Sequence, residues 1–220
     1  MPSHADTARE RGLLVAIEGI DGAGKSTQAD LLARRLEATG HPVRVLHEPT
    51  RGPHGMELRR LMALGPEVLT ARKEFELFLA DRRQNVAESI EPMLAAGGVV
   101  VLDRYYISSM AYQGARGLDP EEIRRANEAI APVPDYLAVF DLEVAEALSR
   151  VRGRDGAGDH FEREERLTRA REIFLGLRGF PNLRVVDATL PVDEVHALLS
   201  RDVEALLAQR QSPVSATPDQ

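Results

Sequence analysis

GIDGAGKST, residues 19–27, decides how the rest of this chain is read. Gly19, Gly24, Lys25 and Ser26 fall on the spacing G-x-x-x-x-G-K-[ST]. An apolar run, 13–17, leads into the stretch, and a helical pattern, 25–39 ended by Gly40, leaves it. That strand–loop–helix context distinguishes the motif from a chance glycine-rich turn. Glycines allow a tight turn in which successive backbone N–H groups face one anion. The helix that follows directs its positive N-terminal end at the same anion. The spacing therefore predicts a nucleotide-phosphate site, with Lys25 on the β- and γ-phosphates and Ser26 on Mg²⁺.

Further along the chain, strands alternate with helices. Strands are expected at 13–17, 43–47, 99–102, 136–140 and 183–186. Helices are expected over 25–39, within 52–65, largely through 67–96, and at 120–131, 144–152, 163–177 and 192–207. Within 67–96, Phe75, Leu77, Phe78, Val86, Ile90 and Leu94 are the candidate inward positions. VVVL at 99–102 is wholly apolar, as a parallel strand covered on both faces requires. The alternation predicts a five-stranded parallel sheet of α/β class with helices on both faces. Ligands of such sheets lie beyond the carboxyl ends of the strands. Residues 19–26, 48–51, 103–104 and 187–189 are expected there. One domain, 12–210, is expected between a disordered lead, 1–11, and a flexible tail, 211–220.

Composition narrows the function classes. The net charge of −7 argues against a general nucleic-acid binder. No apolar run approaches the roughly 20 residues of a membrane helix. The first residues have no apolar signal core and the chain has no cysteine, so a cytoplasmic protein without membrane partners is expected. Lysine occurs only at Lys25 and Lys73, so arginine carries nearly all cationic work.

A second constellation is LDRYYISSMAYQG, 102–114. Asp103 and Arg104 at a strand end are expected to face the cleft, the acid beside Mg²⁺ and the arginine bridging phosphates. Ser108, Ser109, Tyr112 and Gln113 suit a nucleobase and sugar site. Phe78 and Arg82 stand four apart on one helical face, able to stack on a base and donate to its carbonyl edge. Helical spacing alone would assign Phe78 to the core. The glycine- and charge-rich stretch 150–160, taken alone, reads as a solvated surface.

Taken together, GIDGAGKST, EP at 48–49, LADR at 79–82, LDRYYISSMAYQG and VVDAT at 185–189 resemble the thymidylate kinase family over about 13–207. The resemblance implies a three-layer P-loop kinase fold with a short lid over about 150–163. It implies transfer of phosphate from ATP to dTMP with Mg²⁺, and a homodimer. Gly19, Asp21, Gly22, Ala23, Gly24, Lys25, Ser26 and Thr27 would hold the ATP phosphates, and Ala188 would border adenine. Asp21 would also approach the acceptor, beside Glu48, and Arg59 would grip the dTMP phosphate; Arg51 near the acceptor is this chain's own addition to the family pattern. Phe78 would stack on thymine and Arg82 would address its O4 edge. Ser108, Ser109 and Gln113 would surround the base, and Tyr112 would crowd the 2′ position. Asp103 and Arg104 would act between donor and acceptor, with Ser26 and Asp103 on the metal. Arg150, Arg152 and Arg154 would supply the catalytic arginine from the lid, because Gly22-Ala23 leaves none in the phosphate loop. The chain departs from the family's REPGGT segment, reading HEPTRGP at 47–53, with His47 in place of an arginine.

Rival readings are a deoxynucleoside kinase, a monophosphate kinase for another base, and a nucleotide-dependent switch. A nucleoside acceptor needs a carboxylate to take its hydroxyl proton, a task Asp103 could be offered. In that case Arg51 and Arg59 would lack an anionic partner. The guanine-reading N-K-x-D motif of a switch is absent, since no asparagine precedes lysine.

Overall fold

The computed structural model describes residues 11–65, 68–151 and 160–211. Five strands form one parallel sheet: β1 (Leu13–Gly19), β2 (Val43–His47), β3 (Val99–Asp103), β4 (Tyr136–Asp141) and β5 (Leu183–Asp187), ordered β2-β3-β1-β4-β5. β1 and β3 are buried at every position. Successive side chains of a strand point to opposite faces, so both faces of the sheet are covered at β1 and β3. That burial explains why VVVL shows no alternation.

The helices are α1 (Lys25–Ala38), α2 (Pro53–Met62), α3 (Ala71–Asn85), α4 (Glu91–Ala95), α5 (Tyr106–Ala115), α6 (Pro120–Glu128), α7 (Val144–Val151), α8 (His160–Gly176) and α9 (Val192–Gln211). α1 packs with α9, while α5 packs with α3, α6 and α8. The sheet and these helices share one apolar core, which includes Val15, Leu32, Val101, Met110, Val139, Phe174 and Leu199.

The single helix expected over 67–96 is three pieces. It begins at α3 behind Thr70, whose hydroxyl accepts from the Lys73 N–H. A π-helical turn, Val86–Ile90, joins α3 to α4. Pro92 is the physical reason: it has no N–H and its ring crowds the carbonyl four residues back. The start expected at residue 67 lies outside the described residues. Two other expectations tighten. The stretch after Arg104 is a full helix, α5, and the 144–152 helix is described to Val151. The expected lead, the tail, and 152–159 of the expected lid lie outside the described residues.

The sheet's register gathers chemistry at its carboxyl edge. Asp103 is in register with Ile17 of β1 and His47 of β2, and Gly19 with Phe140 of β4. Three strands thus end beside the phosphate loop.

Candidate functional site

The phosphate loop has the backbone its glycines were expected to provide. Gly19, Gly22 and Gly24 adopt φ of 135°, 83° and 88°. A Cβ at Gly19 would stand 2.5 Å from the Phe140 carbonyl oxygen, and one at Gly22 would stand 2.7 Å from that of Ala147. The N-terminus of α1 has no side-chain cap, leaving its first amides for a ligand. Lys25 is buried, and its Nζ donates to the Ile20 carbonyl at 2.8 Å. Burial, with Arg104 nearby, pushes its ammonium down to about 7. An anion bound in the loop would add to the negative charge that Asp21, Asp103 and Glu18 already place near Lys25.

Asp21, Gly22, Gly24, Lys25, Ser26 and Thr27 line a polar cleft of about 520 Å³ together with Asp103, Arg104 and Arg150. The Ser26 hydroxyl donates to Asp103 Oδ2, and His47 Nδ1 reaches the same oxygen at 3.1 Å. Asp103 Oδ1 is buried with no partner among the described residues. A hydroxyl and a carboxylate with a free oxygen fit Mg²⁺, which takes few protein ligands and keeps waters and substrate phosphates around it. Among the described residues no group of three or more His, Asp or Glu could hold a metal ion.

Arg104 sits where the phosphate cleft meets its neighbour. It adopts φ 73°, unusual for a residue with a side chain. Its guanidinium bonds Asp21, donates to Ser108 Oγ at 3.1 Å and lies 5.2 Å over the Tyr112 ring. Asp103 and Arg104 therefore do not pair with each other. They diverge, one to each side of the strand end.

The second cleft, about 290 Å³, is lined by Asp21, Glu48, Arg59, Phe78, Arg82, Arg104, Ser108, Ser109, Tyr112 and Gln113, with Pro49, Met62, Glu74 and Tyr105. Of the residues expected around the acceptor, only Arg51 stays out of this lining; its side chain is exposed. The two clefts share Asp21 and Arg104. Phe78 is half-buried and faces the cleft, so the site claims the residue that helical spacing alone gave to the core. Gln113 lines this cleft, and its Oε1 is buried and unpartnered among the described residues.

Arg82 is 1% exposed and tightly held. Its Nε donates to Glu48 Oε2 at 2.8 Å, its Nη1 to Asn127 Oδ1 at 2.5 Å, and its Nη2 reaches Ser109 Oγ at 3.4 Å. Asn85 adds a bond to Glu48 at 3.0 Å. Next to Pro49, Thr50 is pinned by buried Asp81, which accepts from its N–H at 2.7 Å and from its hydroxyl. Gly55 is what lets that loop close, since a Cβ there would meet the Thr50 carbonyl oxygen at 2.2 Å. The Arg59 guanidinium donates to the Pro49 carbonyl at the mouth of the cleft.

Other expectations divide. Gly19 and Ala23 shape the loop without lining the phosphate cleft. Ala188 is buried outside that lining; its carbonyl accepts from Arg150 Nη1 at 3.2 Å. Arg150 also pairs with Glu146 at 2.6 Å and reaches the Gly22 carbonyl at 3.4 Å. Arg152 and Arg154 lie outside the described residues.

Several polar supports were not singled out in the sequence. Glu18, fully buried in β1, accepts from the Tyr105 N–H at 2.7 Å, the Ser108 N–H at 3.1 Å and the Ser108 hydroxyl at 2.6 Å. It caps α5, the helix that carries Ser108, Ser109, Tyr112 and Gln113. Burial raises its carboxyl to about 7. A glutamate inside an otherwise apolar strand is a visible signal, whereas Asn127 and Glu74 carry none.

With this geometry in hand, the comparisons are specific. A model of the thymidylate kinase family matches residues 17–199. A thymidylate kinase of Xanthomonas oryzae pv. oryzae (strain PXO99A) is 46% identical over 208 residues, covering 94% of this chain and 90% of the relative. One from Xanthomonas campestris pv. campestris (strain 8004) is 46% identical over 199 residues, covering 90% and 86%. One from Xylella fastidiosa (strain 9a5c) is 47% identical over 183 residues, covering 83% and 86%. Motifs, sheet order and similarity over most of its length agree: the chain belongs to the thymidylate kinase family.

Proposed function

We propose that the chain transfers the γ-phosphoryl group of ATP to the 5′-phosphate of dTMP, giving ADP and dTDP for dTTP synthesis. The observation that carries this is the pair of adjoining clefts with Asp21 and Arg104 in both linings. One is built for phosphates. The other offers Phe78 for stacking, Arg82 and Ser109 as donors, and an unpartnered Gln113 oxygen, a set suited to a pyrimidine base edge.

The acceptor needs no general base. A phosphate monoester loses its second proton near pH 6, so its attacking oxygen is already anionic. What the chain must do is align two anions and neutralise the charge between them. Lys25 holds donor phosphates in the loop, Arg104 bridges donor and acceptor, and Arg59 grips the acceptor phosphate. Ser26 and Asp103 would hold Mg²⁺, which supplies charge neutralisation on the transferring phosphoryl group. The catalytic arginine comes from the segment carrying Arg150, Arg152 and Arg154, with the Arg150–Glu146 pair at its base. Ala188 borders adenine, and Arg51 meets the acceptor only if its exposed side chain turns toward the cleft.

Asp103 lines the phosphate cleft, with its Oδ2 held by Ser26 and His47, and does not line the acceptor cleft, which disfavours a nucleoside hydroxyl as acceptor. The family resemblance also supports a homodimer and a cytoplasmic location, which sedimentation and cell fractionation would test. Among the described residues no helix is long and apolar enough to cross a membrane. The deciding experiment is coupled ADP release with ATP and dTMP, dUMP, dCMP, dGMP or thymidine. Turnover of dTMP above the others is expected; turnover of thymidine without dTMP would overturn the reading.

A further inference from the structure

We propose that His47 is a positioning residue for Asp103: its ring N–H fixes the orientation of the carboxylate that lines the phosphate cleft. The inference rests on the functional reading above, in which Asp103 serves Mg²⁺ and the donor phosphates. It starts from register. His47 and Asp103 are in-register neighbours at the ends of two parallel strands. Parallel neighbours present side chains to the same face, and here the imidazole Nδ1 lies 3.1 Å from Asp103 Oδ2. The Ser26 hydroxyl donates to that same oxygen.

The consequence follows from carboxylate freedom. The terminal torsion of an aspartate is broad and roughly two-fold. Two donors on Oδ2 hold that torsion and leave Oδ1 on the other side. Oδ1 is the buried atom without a partner among the described residues. Asp103 lines the phosphate cleft and His47 lines neither cleft, so His47 acts only through Asp103. Because the carboxylate can only accept, Nδ1 carries the hydrogen, in the neutral ring and the imidazolium alike. The orientation therefore does not depend on the charge of His47. It also survives exposure: the His47 side chain is 51% exposed, whereas that of Asp103 is 8% exposed. Supports of this kind behind a ligand carboxylate typically change metal affinity or activity about 10–100-fold when removed.

The test compares His47→Ala and His47→Asn in the full chain, each checked for an unchanged melting profile. An asparagine amide N–H can occupy the place of Nδ1–H. Mn²⁺ binding in the presence of a non-hydrolysable ATP analogue is measured by electron paramagnetic resonance, alongside kcat and the KM for dTMP. For His47→Ala, Mn²⁺ affinity and kcat are expected to fall about 10-fold with the KM for dTMP unchanged, and His47→Asn is expected to recover most of both. Mn²⁺ affinity within twofold of wild type in His47→Ala would overturn the proposal. So would a His47→Asn no better than His47→Ala. If wild type binds Mn²⁺ with nucleotide but turns over no dTMP, the functional reading fails while the His47 comparison still gives its answer.

Discussion

Removing Glu48 should cost the protein stability before it costs activity. The side chains of Glu48 and Arg82 are 2% and 1% exposed. In Glu48→Ala, Arg82 loses its Nε bond at 2.8 Å and its Nη2 contact at 2.6 Å, and Asn85 loses its acceptor. Asn127 and Ser109 remain, but neither carries charge. Leaving one member of a buried pair costs about 3–5 kcal/mol. A domain of this size loses roughly 2–4 °C of Tm per kcal/mol, so scanning calorimetry should show a drop of about 10 °C. Replacing both partners, Glu48→Leu with Arg82→Met, should recover part of that loss, because well-packed apolar groups often match a buried ion pair. Recovery stays incomplete, since Asn127 Oδ1 loses its donor. The KM for dTMP separates the roles. A hydrogen bond from a charged donor contributes about 1.5–3 kcal/mol, so the double variant's KM should rise roughly 10–100-fold. A Tm for Glu48→Ala within about 2 °C of wild type would refute the buried-pair argument. A wild-type KM in the double variant would remove Arg82 from base recognition.

Other outcomes follow from single groups. Burial pushes Lys25 down to about 7, which leaves it mostly neutral at pH 8, and a phosphate bound beside it would raise its pKa. ATP binding at pH 8 should therefore take up close to one proton, seen as a buffer-dependent calorimetric enthalpy; uptake that persists in Lys25→Met would exclude Lys25 as its source. Glu18→Ala should lower the Tm by several degrees and raise the KM for dTMP, because the first donors of α5 lose their acceptor. The Glu18 carboxyl, raised to about 7, holds its proton in the folded chain where the unfolded chain has lost it. Wild type should then lose stability relative to Glu18→Gln as pH rises from about 4.5 to 7, measured by urea midpoints; equal slopes would count against the burial effect. Gly55→Ala should raise the KM for dTMP with little change in the KM for ATP, because its methyl meets the Thr50 carbonyl and Asp81, the neighbours of Pro49 and Arg82 in the second cleft, and no residue of the first.

Much of this protein was legible along the chain. Runs such as VVVL and the G-x-x-x-x-G-K-S spacing are local: strand identity follows from apolar continuity, and the phosphate loop from glycine conformations and one lysine. Five strands, and many of the residues that line the two clefts, were singled out by such patterns and by the family resemblance they support, although Glu74, Met62 and Tyr105 were not. Residue 82 was expected at a base on the strength of helical spacing from Phe78 and that resemblance. Its partners were not legible, because Glu48 is 34 positions away and Asn127 is 45. Pro92 was visible, yet its outcome, a π-turn with Val86 and Ile90 buried rather than a break, shows only in the fold. Arg51 was expected at the acceptor, but the chain turns there under the grip of Asp81 on Thr50 and leaves the next side chain outward.

Periodicity and motif spacing record what each residue does to its own backbone, so strands, loop and helices could be read from them. Which buried polar groups meet is set by register between strands and rotation of packed helices. Glu18 capping α5, Asn127 holding Arg82 and His47 beside Asp103 therefore emerged only with the folded sheet.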